Sequence, residues 1–243
     1  MILAFTNSAP RSCSTTQGER WTTQGTVTAD IHGHAPAPLA ALPPSVPVLL
    51  TALAHHDGAT YVHSLRVGPI AWWLASLQGW IGPAREHVFL AGLLHDVGKI
   101  YLPRSVLQRH VHASAQSAML QTHAMYGARL LRQYPDVASL APIIGAQHER
   151  PDGRGTPHGL NASAIPTASS MIAVADALDQ LNHPPGGEPP APVDVIYDTL
   201  ISGAGSRWDA RIATSAADAM ARQAPAALGP TPREEACDYV LVV

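Results

Sequence analysis

From about Val46 onward the chain runs in long alanine- and leucine-rich segments, each cut short by proline or glycine. No alternating apolar-polar pattern of useful length interrupts them between 46 and 222, so the segments read as helices and the fold class as all-α. The spacing predicts helices over roughly 46–56, 60–79, 84–98, 114–134, 137–149, 166–182, 193–202 and 208–222. Ser45 is placed to cap the first, with Pro47 tolerated in its opening turn. Pro151 cannot continue the helix that precedes it, and Asp152-Gly153-Arg154-Gly155 then reads as a tight loop. Pro166 suits the first turn of the next helix. Pro69 falls inside the second helix, where its ring collides with the carbonyl of Leu65 and is expected to kink it.

Outside that region the pattern changes. Residues 1–45 carry Ser, Thr, Gly and Pro without apolar periodicity and read as a flexible leader, with a short strand around 26–28. The helical core is expected over 46–183, a Pro/Gly-rich connector over 184–192, and C-terminal helices over 193–243 packing on the core. The apolar, β-prone end from Tyr239 to Val243 is expected to dock on the domain or on a partner. The longest greasy stretch, Ile70 to Ile81, is broken by Ser76, Gln78 and Gly79 and falls far short of a membrane span.

Composition narrows the class. With 243 residues, 46% hydrophobic and only 14% charged, the chain has ample material for a buried core. A formal charge of −3 predicts no attraction to nucleic acid polymers or to anionic membranes. Cys13 and Cys237, near opposite ends, build no disulfide framework, and no secretory signal is legible at the start. The expectation is a soluble, cytoplasmic protein. Trp72 and Trp73, with Trp80, read as core packing rather than a base-stacking platform; because the pair cannot share one helix face, a contact of one of them with another subunit or domain stays open, and with it a homodimer.

The polar interruptions of the apolar segments carry the chemistry. His63, the His95-Asp96 pair, His123, His148 and Asp176 fall in five separate segments expected to be helical. A polar side chain on a core face is costly unless it finds a partner, and converging imidazoles and carboxylates satisfy one another by sharing a metal ion. Singly, His63, His123 or His148 reads as a hydrogen-bonded core histidine. His55, His56, His87, His110, His112, His158 and His183 read as surface or loop residues, and His32 and His34 as incidental to the leader. Asp179, three residues past Asp176, reads either as a support for a ligand or as an exposed residue. Lys99 is the only lysine, four residues after His95 and three after Asp96, hence on their face of a helix. Its ammonium is a compact point charge, unlike the planar fork of arginine. Such a group can clamp a phosphoryl oxygen beside a metal that draws hydroxide from water.

Six blocks in order make the pattern specific. They are His63-Ser64-Leu65-Arg66-Val67; Leu94-His95-Asp96-Val97-Gly98-Lys99-Ile100; His123 with Gly127; Gln147-His148-Glu149-Arg150-Pro151-Asp152-Gly153-Arg154-Gly155-Thr156-Pro157; Val174-Ala175-Asp176-Ala177-Leu178-Asp179; and Arg207-Trp208-Asp209. Over roughly residues 50–222 the chain resembles the HD-GYP branch of the HD phosphohydrolase superfamily. The resemblance implies an HD-domain helical bundle with extra C-terminal helices, and hydrolysis of cyclic di-GMP to pGpG or GMP at a two-metal centre of iron or manganese. It implies that His63, His95, Asp96 and Asp176 hold the stronger ion and that Asp96, His123 and His148 hold the weaker one. It assigns catalysis to Asp96 and Lys99, and substrate contact to Lys99, Arg150, Asp152, Gly153 and Thr156. The 152–157 loop would shape the pocket mouth and offer a surface to a protein partner.

The departures matter as much. Gln147 stands where the family's loop has its first histidine, Thr156 replaces the signature tyrosine, and Ala59 stands where members with a third metal place a glutamate. An amide oxygen is a poorer transition-metal ligand than imidazole, so the second ion is expected to bind more weakly. Two alternatives stay open: an impaired nucleotide-sensing or interaction module, and another HD-type enzyme, a nucleotide phosphohydrolase or di-iron oxygenase.

Overall fold

A computed structural model describes residues 42–107, 119–184 and 187–223. The 26–28 strand, the apolar tail, His110 and His112 lie outside them. The helices are α1 (Ser45–His56), α2 (Gly58–Leu77), α3 (Gly82–Leu94), α4 (Arg104–Leu107), α5 (His123–Leu131), α6 (Ala141–Gly145), α7 (Thr167–Asn182), α8 (Val193–Gly203) and α9 (Ala210–Gln223), with 3-10 turns at Val97–Tyr101 and Ala138–Leu140. Among the described residues there is no strand, so the fold is all-α, and no helix is long and apolar enough to cross a membrane.

Helix α2 is the axis of the domain, packed chiefly against α3 and α7 and also against α1. Buried positions run almost continuously from Val67 to Ala75 because neighbours cover α2 on several sides. That agrees with the core-packing reading of the tryptophans and corrects the contact reading: both Trp72 and Trp73 are buried, Trp72 edge-on to Phe89 and under the Arg85 guanidinium. Neither is free for an interface. The helix continues through Pro69 to Leu77. The α2–α3 crossing is tight at Gly68 and Gly92: a Cβ added to Gly92 would stand 2.8 Å from the Gly68 Cα. Two glycines facing each other let the backbones approach, and this brings the His63 end of α2 over the C-terminal end of α3.

The ends of elements depart from the sequence pattern in three instructive places. Ser45 does not cap α1; it is the first helical residue, and its amide and hydroxyl both donate to the Asp136 carboxylate, at 2.9 and 2.7 Å. Asp57 caps α2 instead, accepting from the Thr60 amide at 3.0 Å. Helix α3 stops at Leu94 rather than running to 98, and a 3-10 turn takes over. The segment expected as one helix over 137–149 is a 3-10 turn, the five-residue α6 and a turn, so His148 stands on a turn and not on a helix.

Candidate metal centre

The break after Leu94 builds the centre. His95 closes α3 and Asp96 leaves it with φ −98° and ψ 4°, so both side chains turn into one buried cleft instead of diverging by a helical step. Gly98 lies against the start of α5, where a Cβ would stand 2.0 Å from the His123 carbonyl oxygen. This close approach sets the imidazole of His123 beside Asp96.

The five segments converge. His63 Nε2 lies 3.2 Å from His95 Nε2, 3.1 Å from Asp176 Oδ1 and 3.7 Å from Asp96 Oδ2. His95 Nε2 is 3.3 Å from Asp96 Oδ2. Across the same carboxylate, Asp96 Oδ1 is 3.0 Å from His123 Nε2, and His148 Nε2 is 3.1 Å beyond that nitrogen. The tightest three-ligand group is His63, His95 and Asp96, with Asp176 joined to it through His63.

The hydrogen bonds on the far side of each ring test whether this donor set fits a metal. His95 Nδ1 faces the Gly92 carbonyl at 2.8 Å, His123 Nδ1 faces the Leu120 carbonyl, and His63 Nδ1 faces Asp179 Oδ2 at 2.6 Å. A carbonyl accepts only from N–H, so the proton sits on Nδ1 and the Nε2 lone pairs point inward. Unprotonated nitrogens and carboxylates that face one another at 3.0–3.3 Å repel unless a cation lies between them. Donors about 2.1 Å from one ion and at right angles to each other stand about 3 Å apart, which is the spacing found. The residues fit divalent metal.

The electrostatics agree. Burial alone would lower the His63 pKa, yet the hydrogen bonds to Asp176 and Asp179 and the Asp96 charge outweigh it and raise it to about 9. Burial would raise the Asp96 carboxyl, but the charges of His95 and Lys99 hold it well below the usual carboxylate range. Asp176 and Asp179 are likewise held low by His63 against their burial. His148 moves the other way, lowered to about 4 by burial and then by the neighbouring His123. A cluster that keeps its acids ionised and traps a proton on His63 is poised to exchange that proton for a metal ion.

Lys99 Nζ donates to Asp96 Oδ2 at 2.6 Å, on the 3-10 turn rather than on an α-helical face. The loop after His148 is organised by its own side chains. Arg150 pairs with Asp152 through Nε at 3.0 Å and Nη2 at 2.5 Å, and the Arg154 amide donates to Asp152 Oδ1 at 3.0 Å. Gly153 turns the chain at φ +73°. A pocket of about 260 Å³ opens between this loop and α7, lined among others by His148, Arg150, Arg154, Thr156, Asp176 and Arg207. Asp152 and Gly153 shape the loop from outside that lining.

Four supporting residues escaped the sequence reading or were left open by it. Asp179 is buried and holds His63, and is itself gripped by Arg66 (Nε to Oδ1 2.6 Å, Nη2 to Oδ2 2.8 Å) and by His183 at 3.0 Å. Arg66 follows His63 by three residues and Asp179 follows Asp176 by three, so each lies on its ligand's helix face; that spacing was the available signal. His183 is not a bystander. Glu149 is buried and accepts the His158 and Leu160 amides at 2.6 and 2.8 Å, pinning the return of the loop. Gln147 is buried too, its Nε2 within 2.9 Å of the His95 carbonyl oxygen and 3.1 Å of His123 Nε2.

The chain is similar to known proteins along most of its described length. An HD domain family model matches residues 47–212. A 3'3'-cGAMP-specific phosphodiesterase of Vibrio cholerae is 30% identical over 169 residues, covering 68% of this chain and 32% of that protein. A cyclic di-GMP phosphodiesterase of Thermotoga maritima is 29% identical over 161 residues, covering 65% of this chain and 44% of that protein. The chain thus spans 32% and 44% of the length of these two relatives. Among solved structures, Bd1817, an HDG"Y"P protein from Bdellovibrio bacteriovorus, shares the fold with a TM-score of 0.54 at 22% identity, over 65% of this chain and 51% of that one. Matched along most of its length, the chain belongs to the HD domain family.

Proposed function

We propose that this chain is a metal-dependent phosphodiesterase that opens cyclic di-GMP to pGpG or GMP in the cytoplasm, at a centre for two divalent ions, iron or manganese. One observation carries the reading: His63 Nε2 and His95 Nε2 face each other at 3.2 Å while both Nδ1 atoms are committed elsewhere. Once the His63 proton has left, a cation among them satisfies both lone pairs and the adjacent carboxylates together. His63, His95, Asp96 and Asp176 would hold the stronger ion, and Asp96, His123 and His148 the weaker. Metal bound there supplies Lewis acidity to a phosphoryl oxygen and lowers the pKa of water.

The chain's own residues do the rest. Asp96 joins the two ligand groups through its two oxygens. Lys99 carries a fixed positive charge beside that carboxylate, where it meets negative charge developing on a transferring phosphoryl group. His148, kept neutral near pH 7 by its lowered pKa of about 4, offers a lone pair instead of a competing charge. Arg154 and Arg207 line the pocket that leads to His148 and Asp176, and present guanidinium groups to phosphate. Arg150 is engaged by Asp152 and serves the loop first.

The test is product analysis of the chain reconstituted without oxygen with Mn2+ or Fe2+, using cyclic di-GMP, 3'3'-cGAMP and linear nucleotides as substrates. Cyclic di-GMP turnover that disappears in a folded Asp96→Ala variant supports the reading; turnover retained by that variant overturns it. Buried Gln147 at the second ligand group favours one alternative, a module that binds the cyclic dinucleotide without cleaving it. Binding without turnover in the fully metallated chain would establish that instead.

A further inference from the structure

The Gln147 amide does more than fail to be a ligand. Its orientation follows from hydrogen-bond accounting: the atom 2.9 Å from the His95 carbonyl oxygen must be the nitrogen, because two carbonyl oxygens would repel there. The amide's second hydrogen then points at the other near atom, His123 Nε2 at 3.1 Å. That nitrogen is an acceptor, since the proton of the ring is given to the Leu120 carbonyl through Nδ1. Gln147 Oε1 is buried and, among the described residues, has no hydrogen-bond partner, so the oxygen that could ligate a cation faces away from the one ligand of this group that Gln147 touches.

We propose that Gln147 is an internal stop on the second metal position: its N–H occupies the His123 lone pair that an ion shared with Asp96 and His148 would need. The inference rests on the metal-centre reading above. It differs from a merely missing ligand, because the amide competes with the ion and does not simply contribute nothing. In the first group, His63 with His95, Asp96 and Asp176, no amide donor faces the imidazole nitrogens; Lys99 competes only for Asp96 Oδ2, and the His63 proton leaves as the ion enters. Swinging the amide away would leave the buried His95 carbonyl unpaired, so the stop is held in place from its other side.

Calorimetric titration of the metal-free chain with Mn2+ tests this, alongside Gln147→Met, which keeps length and bulk but removes the donor. The wild-type chain should take one ion with a second about 100-fold weaker or more, and Gln147→Met should tighten the second by about tenfold while the first is unchanged. Two ions of equal affinity in the wild type, or a second affinity unmoved in a folded Gln147→Met, would overturn the proposal. No Mn2+ binding at all would overturn it together with the reading beneath it. Should Gln147→Met not fold, nitrogen NMR of wild-type histidines with one equivalent of Zn2+ decides: shifts at His63 and His95 Nε2 with His123 unmoved support the stop, and a simultaneous shift at His123 overturns it.

Discussion

The Asp179 carboxylate receives the Nδ1 proton of His63 at 2.6 Å, and Arg66 closes on the same carboxylate through two further hydrogen bonds. An imidazole ligand whose far nitrogen is fixed in this way keeps its tautomer and its aim, and the buried anion raises its basicity. Asp179→Asn retains the shape but loses the charge. Its first-site Mn2+ affinity should fall about 10- to 100-fold. Activity measured at saturating Mn2+ should recover most of the loss, because Asp179 acts through His63 and does not touch substrate. A defect that excess metal does not repair would show a different role.

The raised pKa of His63 sets a pH dependence whose sign reverses between the metal-free and metal-bound chain. In the metal-free fold His63 holds its proton up to about pH 9, against 6.5 for a free imidazole. The stability this contributes is fully present below 6.5 and is lost as pH rises through 9. His148 works at the other end: with its pKa lowered to about 4, stability falls as pH drops from 6.5 towards 4. Thermal melts of the metal-free chain should therefore peak near pH 6.5. Metal must displace the His63 proton, so Mn2+ affinity should rise about tenfold per pH unit up to about 9. Calorimetry in buffers of different ionisation enthalpy should register close to one proton released per first ion.

Lys99 is held charged by Asp96: burial would lower its pKa, but the carboxylate 2.6 Å away more than reverses that. Lys99→Met should lower kcat about 10²- to 10³-fold, the usual loss when one positioned charge opposite a developing anion is removed. Mn2+ affinity should not fall, because Asp96 Oδ2 loses a competitor. Lys99→Arg should rescue little, since a planar fork cannot take the place of a compact ammonium on this short turn. Metal titration beside steady-state kinetics separates the two effects.

The convergence of the imidazoles and carboxylates was legible because most of them interrupt an apolar run, and buried polar groups must be satisfied. The all-α class was legible from segment length and the missing alternation. What the pattern hid were the places where tertiary contacts override helical periodicity. His95 and Asp96 look like interior helix residues, yet the helix stops there because the turn must fit Gly98 against α5. Ser45 looks like a cap, but Asp136, ninety-one residues away, claims its hydroxyl and amide. One of Trp72 and Trp73 looks placed for a contact only so long as α2 is imagined with one covered face. Asp179 and His183 were undervalued because their partners lie on α2, more than a hundred residues earlier, or emerge only once Asp179 is known to be buried.

Gly98 joins the two halves of the centre, which makes it the most informative single position in the backbone. A Cβ there would lie 2.0 Å from the His123 carbonyl oxygen and 2.4 Å from the Gly127 amide nitrogen, both main-chain atoms that cannot rotate aside. The 3-10 turn carrying Asp96 and Lys99 and the start of α5 carrying His123 must therefore separate in Gly98→Ala. Overpacking against backbone should destabilise the metal-free chain by about 3 kcal/mol, at the upper end for such changes. The separation should weaken the contact between Asp96 Oδ1 and His123 Nε2, now 3.0 Å, while leaving the His63–His95 pair on α2 and α3 in place. Urea unfolding should record the stability loss. Mn2+ titration of the folded fraction should show the first ion bound within a few-fold of wild type and the second abolished. Loss of the first ion instead would mean that the α2–α3 crossing depends on the turn that follows it.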